Sequence, residues 1–404
     1  MPLKVMTVFG TRPEAIKMAP LVKQLEADAD IESMVCVTGQ HREMLKQVLQ
    51  LFQIEPDCDL ALMTGNQTLN GLASRLIASL DEVLAARRPD RILVHGDTAT
   101  ACAAAIAAFH RGIPVGHVEA GLRTGNLMQP WPEEMNRRVV DVVSDLMFAP
   151  TASSKANLER EALQGRIVVT GNTVIDALNL TTARIDSTPA LRAELDARLP
   201  FLDGALPVLL VTGHRRESFG AGFANICAAL ADLARSNAVQ IVYPVHLNPN
   251  VRKPVQETLG AARNVHLIEP LDYLGFVRLM QRASIILTDS GGIQEEAPAF
   301  GKPVLVMRDV TERPEAIEAG AARLVGTSRS SIRDAVLFQL ARLSDSRAPV
   351  PRNPYGDGLA SERIAAVLAG RPFQEFGAPD ANASILPIPA QQAHVRRAGH
   401  AEFQ

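Results

Sequence analysis

Leu287-Thr288-Asp289-Ser290-Gly291-Gly292-Ile293-Gln294-Glu295-Glu296-Ala297 carries an apolar run, residues 284–287, through a Ser-Gly-Gly turn directly into a helical pattern. Two glycines let the backbone approach a ligand closely. The free N–H groups at the positive end of a helix suit a phosphate or diphosphate. One turn further in, Glu296 is placed to meet neutral hydroxyls such as those of a ribose. The element lacks the lysine of a Walker loop. It reads as one strand-turn-helix step of a doubly wound α/β domain, with its ligand at the strand's carboxyl end.

The same step recurs along the chain. Short β-branched runs at 5–9, 34–38, 91–95, 114–118, 146–149 and 167–170 alternate with amphipathic segments such as 15–27 and 70–86. A second series follows at 208–212, 240–243, 265–268, 284–288, 304–307 and 322–325, with helical segments at 219–234 and 271–282. Such alternation implies parallel sheets covered by helices on both faces. The two series echo each other: Val8-Phe9-Gly10-Thr11-Arg12 and Val211-Thr212-Gly213-His214-Arg215 both end a strand in glycine and then a basic residue. With 404 residues, two domains are expected. These are two doubly wound, Rossmann-like α/β domains facing across a cleft, with the active site at the carboxyl ends of the strands. Residues 1–172 form the first and 173–376 the second, the last helix packing back on the first. The polar stretch 186–207 lies near the border. Residues 377–404 turn to Ala, Pro, Gln, His and Arg without periodicity and read as a tail with no packed core.

Composition narrows the partners. A net charge of −3 supplies no basic field for nucleic acid or anionic membrane, so a phosphate must be recognised locally. The longest apolar run, 101–109, is far short of a bilayer span, and no secretory signal opens the chain. Cys36, Cys58, Cys102 and Cys227 are scattered without a CxxC pair and read as reduced thiols. The expectation is a cytoplasmic protein. The histidines show no HxxxH or HExxH spacing, so no metal site and no cofactor are expected.

Ionisable residues gather at the strand ends. Arg12 and Lys17 flank a helix start marked by Pro13; they fit either a diphosphate or an ordinary charged helix start. Asp97, after the 91–95 strand, is either the N-cap of the segment from Thr98 or a catalytic group, and in isolation the cap is the commoner role. His117-Val118-Glu119 closes the next strand. In Pro130-Trp131-Pro132-Glu133-Glu134, one glutamate satisfies the acidic first turn that helices favour, and Trp131 reads as a packing anchor. His214, His246 and Arg313 lie in similar polar loops of the second half. Their shared position at strand ends points to one composite site.

Taken in order, these stretches resemble the non-hydrolysing bacterial UDP-N-acetylglucosamine 2-epimerases. The resemblance runs through Val8–Pro20, 40–45, 95–98, 117–125, 130–137, 211–218, 243–251, 287–297, 304–316 and Asn353-Pro354-Tyr355-Gly356-Asp357-Gly358, and so covers roughly residues 3–370. It implies a fold like that of the GT-B glycosyltransferases, a homodimer, and UDP-N-acetylglucosamine and UDP as ligands. Carried over position by position, Arg12, Lys17, Asp97, Glu119, His214, Ser290, Gly291, Gly292, Glu296 and Arg313 match substrate-binding residues, and Phe276 a position beside the uracil. Asp97, Glu119, Glu133 and His214 match residues implicated in catalysis. The resemblance further implies, in some members, activation by UDP-N-acetylglucosamine at a second site, which Gln40, His41, Glu43, Arg75, Arg215, Glu217 and His246 match. Glu43 and Leu271 depart from glutamines found in some relatives.

The implied chemistry explains the carboxyl set. The proton at sugar C2 has no adjacent carbonyl, so the family is understood to expel UDP from C1 while a base removes that proton, leaving a glycal-like alkene to which UDP returns. Protonation on the opposite face then calls for a second acid/base group. Three alternatives share features of this reading: a hydrolysing epimerase releasing N-acetylmannosamine and UDP, a GT-B glycosyltransferase, and a non-enzymatic nucleotide-sugar sensor. The last two leave the surplus of carboxyls unused.

Overall fold

The apolar runs become strands buried on both faces, as parallel sheets between helical layers require. The structure, a computed structural model, describes residues 1–39, 42–62, 67–213, 220–245, 249–343 and 352–378. Its chain divides into two units, one comprising Met1–Ala177 with the chain from Gly356 onward, the other Leu178–Tyr355.

The first unit alternates β1 (Leu3–Phe9), α1 (Arg12–Glu26), β2 (Ile31–Val37), α2 (Arg42–Phe52), β3 (Cys58–Asp59), α3 (Leu69–Arg87), β4 (Arg91–His95), α4 (Ala99–His110), β5 (Val115–Val118), α5 (Glu133–Val143), β6 (Leu146–Ala149), α6 (Ala152–Arg160) and β7 (Arg166–Val169). Helix α7 (Thr173–Ser187) spans the division. The second unit runs α8 (Pro189–Ala197), β8 (Val208–Thr212), α9 (Ala221–Ser236), β9 (Gln240–Pro244), α10 (Pro249–Leu259), β10 (Val265–Ile268), α11 (Tyr273–Arg282), β11 (Ile285–Thr288), α12 (Gly291–Glu296), β12 (Val304–Val306), α13 (Pro314–Glu318), β13 (Ala322–Leu324) and α14 (Arg329–Arg342). Helix α15 (Ala360–Leu368) then joins the first unit's core through Ile364, Ala365 and Val367.

Both sheets are parallel and wound alike, in the orders β3-β2-β1-β4-β5-β6-β7 and β10-β9-β8-β11-β12-β13. Every strand run expected from the sequence is present; β3, only two residues long and ending in Asp59, is the addition. The strand order reverses between β1 and β4, and again between β8 and β11, which is where doubly wound sheets open a crevice for ligands. Register sets what meets there. Val8 pairs with Val94, and His95 with Val118, so Gly10, Gly96 and Glu119 emerge at one level. Thr212 pairs with Thr288, so Gly213 and Asp289 do the same in the second unit.

Local chemistry holds these exits. In α3, Leu72, Leu76, Leu80 and Leu84 recur every fourth residue and are all buried, each side chain contributing about 1.5–3 kcal/mol. At the start of α1, Thr11 and Glu14 form a capping box. Gly10 before it admits no side chain, since an added Cβ would stand 2.1 Å from Thr38 Oγ1 and 2.5 Å from Thr100 Oγ1.

Candidate active site

In the first unit two of the expected carboxylates, Glu119 and Asp97, are held by basic partners. Glu119 leaves β5 with φ at +68°, a left-handed backbone that a non-glycine residue rarely adopts and that clusters at functional sites. Its carboxylate pairs with Lys17 on α1 and accepts from Asn172 Nδ2 at 2.9 Å. His95 Nε2 stands 3.8 Å from the same oxygen. Burial pushes the His95 imidazole down to about 3, outweighing the attraction of Glu119, so it stays neutral.

Asp97 is not the helix cap. Thr98 fills that role for α4, accepting from Ala101 N at 3.1 Å. Asp97 is therefore free of backbone duty; its carboxylate pairs with Arg137, and its carbonyl accepts from Asn136 Nδ2 at 2.9 Å. The Thr98 hydroxyl also donates to Glu14 Oε1 at 2.6 Å, while Glu14 Oε2 accepts from the N–H groups of Gly10 and Thr11 at 3.0 and 2.7 Å. Buried Glu14 thus ties the exit of β1 to that of β4. Burial raises its carboxyl despite those bonds.

The two adjacent glutamates of α5 divide their tasks. Glu134 is fully buried and accepts from Thr124 N, Gly125 N, Arg137 Nη1 and Arg138 Nε at 3.1 to 3.3 Å. Glu133 makes no such network, and its Oε2 is buried without a hydrogen-bond partner. Glu134 is structural, whereas Glu133 carries no such load. Trp131 is not a packing anchor: it sits in the loop ahead of α5 and is 60% exposed. Arg12, the first residue of α1, is half-buried.

In the second unit, Ser290 caps the short helix α12, and its N–H donates to Thr288 Oγ1 at 3.0 Å. A Cβ added at Gly292 would meet nothing within 4 Å, so the turn stands open above the helix end. Glu296 Oε1 accepts from Tyr273 Oη at 2.9 Å; Tyr273 begins α11, and Phe276 follows one turn later. Burial and the neighbouring Glu296 charge raise the Tyr273 phenol, which stays a donor. Arg313 donates from Nε to buried Glu295 at 2.6 Å. Gln294 Oε1 accepts from Thr311 Oγ1 at 2.7 Å, joining the Ser-Gly-Gly turn to the loop that holds Arg313.

The structure therefore places Arg12, Lys17, Asp97, Glu119 and Glu133 at the strand exits and α5 start of one unit. Phe276, Ser290, Gly291, Gly292, Glu296 and Arg313 cluster on the other. Arg75 lies on α3, paired with Gln67. Gln40, His41, His214, Arg215, Glu217 and His246 lie outside the described residues, as does the side chain of Glu43. Sequence reasoning missed Glu14, Asn136, Arg137, Asn172 and Gln294. The spacing of Glu133, Asn136 and Arg137 on one helix face was a readable signal. So was the Thr11-x-x-Glu14 capping box. Asn172 offers none.

Known proteins resemble the chain in both sequence and fold. Residues 23–369 match the family model described as UDP-N-acetylglucosamine 2-epimerase. A UDP-N-acetylglucosamine 2-epimerase of Yersinia pestis is 57% identical over 369 residues, covering 91% of this chain and 98% of its own. Among solved structures, the UDP-GlcNAc 2-epimerase of Neisseria meningitidis bound to UDP-GlcNAc superposes with a TM-score of 0.84 at 51% identity, over 91% of this chain and 99% of that one. The Methanocaldococcus jannaschii UDP-GlcNAc 2-epimerase, in complex with UDP-GlcNAc and UDP, gives 0.76 at 32% identity, over 91% and 99%.

Proposed function

The chain belongs to the UDP-N-acetylglucosamine 2-epimerase family, and on that premise we propose how its residues interconvert UDP-N-acetylglucosamine and UDP-N-acetylmannosamine. A carboxylate of the first unit takes the proton from C2 as the C1–O bond to UDP breaks. The electron pair of the C2–H bond becomes the C1–C2 double bond of a 2-acetamidoglucal. A second carboxyl returns a proton to C2 on the opposite face, and UDP adds back to C1. Asp97, Glu119 and Glu133 form this acid/base set, the assignment of faces being left open. His214, Arg12, Arg313 and the N–H groups of the Ser290-Gly291-Gly292 turn stabilise the charge that develops on the departing diphosphate. Glu296 takes the ribose, and Phe276 lies beside the uracil.

The observation that carries this reading is Glu119 on a left-handed backbone, with Lys17, Asn172 and neutral His95 around its carboxylate. Its test is product analysis by NMR with UDP-N-acetylglucosamine as sole substrate. A mixture of the two UDP-sugars is expected. Free N-acetylmannosamine with UDP would favour a hydrolysing enzyme, and no turnover would overturn both.

The product feeds a cell-surface polysaccharide. UDP-N-acetylglucosamine activates through Gln40, His41, Glu43, Arg75, Arg215, Glu217 and His246; strictly hyperbolic kinetics from UDP-N-acetylmannosamine, unchanged by added UDP-N-acetylglucosamine, would remove this. The partner is a second copy of the chain, supported by exposed apolar side chains along α5, Met135 and Val142, and just before it, Leu127, Met128 and Trp131. A monomer at every concentration in sedimentation would contradict it. The reaction is placed in the cytoplasm, whose reducing poise suits four free cysteines. Among the described residues no helix is long and apolar enough to cross a membrane.

A further inference from the structure

The reaction gives His117 no task, yet both of its ring nitrogens are held by partners. It is fully buried on β5, with Nε2 2.8 Å from the Gly96 carbonyl and Nδ1 2.6 Å from Asp141 Oδ1. A carbonyl oxygen only accepts, so Nε2 carries the proton of the first bond. On the other side the ring is backed by charge. Asp141 is buried, and although burial works against it, His117 and Arg123 hold its carboxyl below the usual range. Arg123 is 2.8 Å from Asp141 Oδ2 and also grips Glu161, the residue that caps the end of α6, at 2.8 Å. A chain of four side chains therefore runs from the end of α6 to one backbone oxygen.

That oxygen belongs to a turn with a consequence. Gly96 follows β4 with φ at +62°, and its N–H donates to Val118 O at 2.9 Å, so both polar groups of this residue are pinned to β5. The next residue is Asp97. Its carbonyl and carboxylate are fixed from the far side by Asn136 and Arg137, but the direction in which it leaves the sheet is set at Gly96. The second unit repeats the device: Tyr243 on β9 donates to the carbonyl of Gly213 at 2.7 Å, the glycine that follows β8 and precedes His214.

We propose that His117 is a positioning residue for the C2 chemistry, its Nε2–H fixing the Gly96 carbonyl and with it the placement of Asp97, while Asp141, Arg123 and Glu161 hold the ring. This rests on Asp97 being one of the acid/base groups. It does not make His117 a catalytic residue, since the ring touches neither substrate nor Asp97's carboxylate among the contacts described.

Two conservative variants separate this role from mere packing. A glutamine amide nitrogen reaches the place of Nε2, whereas an asparagine amide reaches that of Nδ1. His117→Gln thus keeps the donor to Gly96, and His117→Asn keeps only the contact to Asp141. His117→Gln should retain most of kcat. His117→Asn should lose about 10²-fold, the scale set by a misplacement of order 1 Å. KM for UDP-N-acetylglucosamine and the affinity for UDP should stay unchanged in both. Equal activities in the two variants, a better His117→Asn, or an effect on KM in place of kcat would each overturn the proposal. Should neither variant fold, the nitrogen-15 spectrum of histidine-labelled wild-type enzyme decides. An Nε2 of His117 in the protonated range supports the proposal, and an unprotonated one overturns it. Asp97→Asn belongs in the same series. If it stays active, the reading of Asp97 fails whichever way the His117 pair falls; if it is dead while the pair behaves alike, only the positioning claim fails.

Discussion

Replacing His95 with glutamine should make the first unit less sensitive to acid. His95 is 3% exposed, and burial takes its imidazole from 6.5 down to about 3. A depressed folded value means that, below 6.5, the unfolded chain binds a proton which the folded chain refuses. The stabilising contribution is therefore complete above the unfolded value and is lost as pH falls from there toward 3. Between about pH 7 and about pH 5 this single group removes about 2 kcal/mol, close to 1.4 kcal/mol for each pH unit below 6.5. A urea titration read by pulse labelling of thiols, with mass spectrometry, resolves the units separately. Cys36 lies buried on β2 of the first unit, and Cys227 lies buried on α9 of the second. At Cys36, wild-type protein should lose about 2 kcal/mol more than His95→Gln over that pH interval, while Cys227 should respond alike in both. An equal acid loss at Cys36 in the two proteins would refute the claim that His95 is held neutral beside Glu119.

The division of labour on α5 gives a second contrast. Glu134→Ala strips a fully buried carboxylate from four donors and should destabilise the first unit by about 2–4 kcal/mol at Cys36. Glu133→Gln should leave unfolding within about 0.5 kcal/mol of wild type and abolish epimerisation; an active Glu133→Gln would remove it from the acid/base set. In the second unit, Arg313→Met leaves Glu295, 1% exposed, without its guanidinium partner. The Cys227 transition should fall by about 3 kcal/mol and UDP affinity should drop, and unchanged values of both would contradict the role given to Arg313.

These contrasts also mark where the sequence was legible. Strands of a parallel sheet are buried on both faces, so 304–307 and 208–212 announce themselves as apolar runs, whereas Cys58–Asp59 is too short and polar to do so. The Ser290-Gly291-Gly292 turn was readable because glycine and a following helix have few other uses together. Single polar side chains were not. Asp97 and Thr98 both suit a helix N-cap, and only coordinates show that Thr98 takes it. Glu133 and Glu134 are indistinguishable as first-turn acids until the loop at 124–125 folds over one of them. Asn172 reaches Glu119 from 53 residues away, a contact with no local trace. His117 could be read as part of a dense strand end, but its bond to a backbone carbonyl could not.

The central claim is that UDP leaves C1 while the C2 proton is exchanged, and that UDP returns to the same sugar. Incubating the enzyme with UDP-N-acetylglucosamine in deuterated water tests it most directly. NMR should show deuterium entering C2 of both UDP-sugars, with the nucleotide retained and no free sugar accumulating. UDP-N-acetylmannosamine formed with its original C2 hydrogen would contradict the account.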